Sequence, residues 1–74
     1  MGAEFRGIGY TDGQRTAYDC RREIRKSHAD DLPELAGVKM ILFAKASRNP
    51  LCDSDSWREG FWEGFLDKCE DLRG

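Results

Sequence analysis

Apolar positions in this chain recur at helical intervals over most of its length. In the stretch Ser56 to Leu66, S-W-R-E-G-F-W-E-G-F-L, the residues Trp57, Phe61 and Phe65 return every fourth position, and Cys69 and Leu72 prolong the stripe. Such spacing places side chains on one face of an α-helix. Three motifs punctuate the chain: Thr11-x-x-Gln14, Asp31-x-x-Glu34 and Ser56-x-x-Glu59. Each sets an oxygen-bearing side chain three residues before Glu or Gln, an arrangement that satisfies unpaired N–H groups at a helix start. They predict helices over residues 12–29, 33–46 and 53–72. Gly7, Gly9 and Gly13 predict that residues 1–10 are irregular or a short strand.

The middle segment reads two ways. Between Leu35 and Ala46 only Lys39 and Lys45 interrupt an apolar run that covers every side of a helical wheel. Met, Leu, Ala and Lys favour a buried helix, whereas Gly37, Val38, Ile41 and Phe43 suit a buried strand. A strand at 38–44 has only the glycine-rich Phe5 to Tyr10 to pair with, a poor partner. The expected architecture is therefore a mostly α, three-helix single domain, with an α+β arrangement containing strand 38–44 as the alternative.

Size and composition narrow the function classes. The chain has 74 residues, 39% hydrophobic and 35% charged, with a formal charge of -2. A domain this small buries about 60% of the surface its unfolded chain exposes. It has little room for an internal ligand cavity of roughly 300 to 1,000 Å³. The longest apolar run is Met40 to Ala44, against about 20 residues for a membrane span, so the expectation is a cytosolic protein with no membrane contact.

The small net charge conceals a polarity. Residues 14–28 carry Arg15, Arg21, Arg22, Arg25 and Lys26 against Asp19 and Glu23, whereas residues 53–73 hold seven acids against Arg58, Lys68 and Arg73. The first and last predicted helices are thus complementary, and their charges suit solvated rims of two packed helices. If residues 12–29 form one helix, Arg15, Arg22, Arg25 and Lys26 share a face able to meet a nucleic-acid backbone.

Half of the eight aromatic residues lie on the last predicted helix. Trp57, Phe61 and Phe65 supply the large area that a small core needs. Gly60 and Gly64 cost that helix roughly 2 kcal/mol relative to alanine. Their spacing implies close approach of another helix, from this chain or from a second copy in a homodimer, or else a groove for a partner. Trp62 lies about 140° from Trp57 on the wheel and is the aromatic expected at the surface, where tryptophan is a frequent binding hot spot. The candidate contact surface for a partner protein is thus Trp62 with Glu59 and Glu63, bordered by Trp57, Gly60 and Gly64.

Three short motifs carry a family resemblance. Gly9-Tyr10-x-x-Gly13, then Arg48-Asn49-Pro50-Leu51 leading into Trp57-x-x-Gly60-Phe61, resembles the small ribosome modulation factors and their plasmid and phage relatives. The match spans about a third of the chain. Leu51 replaces the usual aromatic, some 20 residues containing the apolar block intervene, and the acidic balance contrasts with a basic ribosome-binding member. The resemblance implies a small helical regulatory protein that binds and modulates, or inhibits, a ribosome or another host complex.

Enzyme motifs are incomplete. Gly7-x-Gly9 with Gly13 misses the dinucleotide pattern because Asp12 takes the third glycine position. Asp53-x-Asp55 begins like a calcium loop, but Arg58 and Gly64 stand where glycine and the bidentate glutamate belong. Cys20, His28, Cys52 and Cys69 have zinc-compatible ligand types without paired spacing, which suits ordinary packed thiols and a solvent-facing histidine better than a site. The expectation is a non-enzymatic protein with no cofactor and no metal.

Overall fold

The computed structural model describes residues 2–74. Among them the regular structure is entirely helical: α1 (Gly2–Asp19), α2 (Arg21–Lys26), α3 (Leu32–Ser47) and α4 (Asp55–Arg73), with 3₁₀ turns at Ala29–Asp31 and Pro50–Asp53. The middle segment is a helix, close to its expected bounds, and the strand alternative at 38–44 is excluded. Helix count and the N-terminal boundary differ from expectation.

Residues 2–10, expected to be irregular, belong to α1. Thr11 sits inside this helix, where its hydroxyl donates to the Gly7 carbonyl rather than capping a start. The expected helix 12–29 is interrupted at Cys20, whose φ of -111° and ψ of 30° break the α geometry, and it ends at Lys26 before the extended Ser27 and His28. Asp31 and Ser54 stand at the N-cap positions of α3 and α4 without a side-chain capping bond. Arg48 stops α3 in the left-handed region at φ 53°, its N–H bonded to the Ala44 carbonyl. Asn49 then caps the next turn by accepting the Leu51 N–H at 3.0 Å.

Glycine explains the N-terminal helix. A Cβ built on Gly9 would lie 2.1 Å from the Trp57 carbonyl oxygen, and one on Gly13 would lie 2.2 Å from that of Phe61. Reciprocally, a Cβ on Gly60 would meet the Arg6 oxygen at 2.0 Å, and on Gly64 the Tyr10 oxygen at 2.1 Å. Two Gly-x-x-x-Gly pairs therefore interlock backbone against backbone. Each glycine aims a Cα–H at a carbonyl of the facing helix, a contact that recurs between closely packed helices. Glycine's poor helix propensity is offset here by an approach that no other residue permits.

These contacts set the topology. Arg6 meets Gly60 and Tyr10 meets Gly64, so α1 and α4 run parallel. Phe43 near the end of α3 packs on Trp57 near the start of α4, with ring centroids 5.7 Å apart, and Gly37 faces Trp62, so α3 runs antiparallel to α4. α4 is central: its glycine edge carries α1 and its aromatic edge carries α3. Trp57, Phe61 and Phe65 are fully buried with Ala17, Ile24 and Ala36. The Trp57 to Phe61 and Phe61 to Phe65 centroid separations are 5.1 and 6.2 Å, within the range of favourable aromatic pairs.

Polar bonds fasten the same parallel pair. The Trp57 indole N–H donates to Asp12 at 3.0 Å, the Tyr10 hydroxyl donates to Asp67 at 2.6 Å, and Arg6 pairs with Glu63 and, at 3.7 Å, with Glu59. At the far end the arginines exchange caps. Arg25 donates to the Leu72 carbonyl at 3.4 Å, and Arg73 donates to the carbonyls of Ile24, at 3.2 Å, and Ser27. Each thereby brings a side-chain donor to carbonyls at a helix C-terminus, the Ile24 carbonyl also accepting the Ser27 N–H at 3.2 Å.

Candidate functional site

Burial divides the expected contact surface in two. Trp57, Gly60 and Gly64 lie in the interior, consumed by packing against α1 and α3. They are corrected from surface to core, because the interlock of α1 needs their bare backbone and the core needs the Trp57 ring. The glycine pair likewise meets α1 of the same chain rather than a second copy.

Trp62, Glu59 and Glu63 remain at the surface. Trp62 is 38% exposed, while the other three aromatics of α4 show no exposed surface. Its ring leans on α3 at Gly37, where a Cβ would sit 3.8 Å away in ordinary contact. Met40, Arg58, Glu59 and Glu63 line a shallow open groove with it. Both glutamates pair with Arg6, but these are solvent-exposed bonds of little energy. The groove thus offers one flat aromatic surface beside carboxylates that remain accessible.

The basic candidates do not form the single face that an unbroken helix predicts. Arg15 belongs to α1 and Arg22, Arg25 and Lys26 to α2, and the break at Cys20 removes the common wheel on which they were aligned. All four are exposed. Arg25 is engaged with the last turn of α4, whereas Arg15, Arg22 and Lys26 take part in no ion pair among the described residues. Among the described residues the ion pairs between α1 and α4 are made by Arg6, which lies outside the cluster.

The sulfur candidates stay apart from metal chemistry. Among the described residues no three His, Cys, Asp or Glu side chains gather as metal ligands, so Cys20, His28, Cys52 and Cys69 are not assembled into a site. Burial pushes the Cys69 thiol up to about 11, with a smaller contribution from repulsion by Cys20, and burial also raises Cys20. Such thiols are protonated at neutral pH and poor nucleophiles. Cys52 is buried with its sulfur 3.3 Å from the Ser47 hydroxyl.

One surface escaped the sequence reading. The outer side of α3 exposes Val38, Ile41 and Leu42 at 48%, 56% and 53%. The signal was present: a helix apolar on every side cannot be buried on every side in a domain whose single core layer touches only one of its faces. Tyr10, buried in part and raised above its ordinary value chiefly by the hydrogen bond it donates to Asp67, was likewise legible only as half of a motif. No family model matches this chain, and no significant match to it is found among curated proteins or among solved structures.

Proposed function

We propose that this chain is a small non-enzymatic regulatory protein that binds a host protein complex through the outer edge of α4 and inhibits or modulates it. The observation that carries this reading is Trp62. In a protein that buries its other tryptophan completely, this ring is held against Gly37 with 38% of its surface open, bordered by Glu59 and Glu63. The chemistry suits a partner segment that lays an apolar side chain on the indole and basic groups against the glutamates.

The test is capture of target proteins by wild-type and Trp62→Ala baits, with and without nuclease. Loss of a tryptophan hot spot costs about 2 kcal/mol or more, a roughly 30-fold drop in affinity. The expected result is nuclease-resistant capture that disappears with Trp62→Ala while the far-UV circular dichroism is unchanged. Full capture by the folded variant would end this reading.

A second reading, ribosome or RNA binding, draws on the resemblance to the ribosome modulation factors and on the exposed, unpaired Arg15, Arg22 and Lys26. The glycines, Tyr10, Trp57 and Phe61 of the resemblance motifs converge at the α1–α4 contact, so they bear on packing and leave RNA contact to these cations. Nuclease-sensitive capture that weakens steeply with salt and with Arg22→Ala supports this alternative.

A further inference from the structure

The outer face of α3 exposes Val38, Ile41 and Leu42 side by side, and the charges that flank them bear on what could cover them. At about 100° per residue, Glu34, Val38, Ile41, Leu42 and Lys45 fall within an arc of roughly 100°. Glu34, Val38, Ile41 and Lys45 are spaced by four, three and four residues, the seam of a two-helix coiled coil. All five are exposed, and neither Glu34 nor Lys45 takes part in an ion pair among the described residues. An acid, two apolar residues and a base in this order form a sequence that is complementary to itself when reversed.

We propose that this face binds a second copy of the same chain, the two α3 helices packing antiparallel about a two-fold axis that passes between residues 39 and 40. In that register Val38 of each copy meets Ile41 of the other, and Glu34 meets Lys45, giving two identical apolar layers closed at each end by an ion pair. A two-fold interface requires this reciprocity, in which residue i contacts j and j contacts i. The parallel alternative sets Glu34 against Glu34 and Lys45 against Lys45, so charge selects the antiparallel orientation. Leu42 flanks the seam. Trp62 is on the side of α3 that faces α4 and takes no part, so this contact is separate from the target surface proposed above.

One helix face is small beside the roughly 800 Å² per partner of a standard interface, so the dimer is weak and the measurement must reach from about 10 μM to about 1 mM. Sedimentation equilibrium of the intact protein is the assay. Wild type is expected to shift from monomer to dimer across that range, and Ile41→Asp to remain monomeric. Glu34→Lys and Lys45→Glu each place like charges at both ends of the seam and are expected to weaken association about tenfold. The double variant Glu34→Lys/Lys45→Glu restores opposite charges only in the antiparallel register and is expected to return to the wild-type constant. All substituted positions are exposed, and unchanged circular dichroism checks that each variant is folded. A wild type that stays monomeric throughout overturns the proposal, as does an Ile41→Asp variant that dimerises like wild type; failure of the double variant to recover overturns the antiparallel register.

Discussion

Gly60→Ala is the sharpest perturbation this fold offers, because a single methyl group there must displace a helix. The added carbon would lie 2.0 Å from the Arg6 carbonyl oxygen, 2.9 Å from its carbon and 3.0 Å from the Tyr10 nitrogen. All three are backbone atoms, so no rotamer change relieves the clash. An unstrained C···O contact is about 3.3–3.6 Å, so α1 must retreat by more than an ångström along that line. That retreat loosens the Gly9, Gly13 and Gly64 contacts together with the bonds of Tyr10 to Asp67 and Asp12 to Trp57. Overpacking relieved by side-chain movement costs about 1–3 kcal/mol, and displacing a backbone belongs at or above the upper end. Alanine returns about 1 kcal/mol of helix propensity, which leaves a net loss of about 2 kcal/mol or more. A chain of this length has only about 4–11 kcal/mol in all.

Gly7→Ala supplies the matched control. It lies in the same helix, yet nothing stands within 4 Å of its added carbon, so propensity alone acts and stability rises by about 0.5–1 kcal/mol. Thermal melts followed by circular dichroism read both, at roughly 4–8 °C per kcal/mol for a domain of this size. Gly60→Ala is expected to melt at least about 8 °C below wild type and Gly7→Ala a few degrees above it. Because α1 has already moved aside in Gly60→Ala, adding Gly13→Ala is expected to cost less than it does in the wild-type background. A Gly60→Ala protein as stable as wild type would refute the interlock.

Two further expectations concern the polar bonds and the thiol. Asp12→Ala leaves the indole N–H of the fully buried Trp57 without its acceptor and should cost about 1–3 kcal/mol in urea denaturation; a loss below about 0.5 kcal/mol would mean that the bond is dispensable. Alkaline pH acts through Cys69 and Tyr10. Both groups hold their protons more tightly in the folded chain, Cys69 from 9.0 to about 11 and Tyr10 upward from 10.0. Their contribution is therefore complete below the unfolded-state value of each and is lost as pH rises through the folded one. The melting temperature should fall between pH 9 and about 11, and less steeply in Cys69→Ala. An equal slope in that variant would remove Cys69 from the explanation.

The sequence by itself determined the helical class, the bounds of the third and fourth helices to within two residues, and the apolar stripe of Trp57, Phe61 and Phe65 that became the core. These follow from local periodicity, which reports each residue's neighbours at three and four positions along the chain. It also singled out Trp62 as the exposed aromatic of α4. Local rules failed where a distant segment reversed them. Glycine near the N-terminus reads as a helix breaker, and only the facing carbonyls of Trp57 and Phe61 make Gly9 and Gly13 favourable inside α1. The basic face assumed one helix through Cys20, and the chain turns there so that Ile24 can enter the core and Arg25 and Arg73 can exchange caps. Which side of α3 is covered was likewise undecided by an all-round apolar pattern. Tertiary packing decided it, because α4 has one aromatic edge to offer and leaves Val38, Ile41 and Leu42 on the other side.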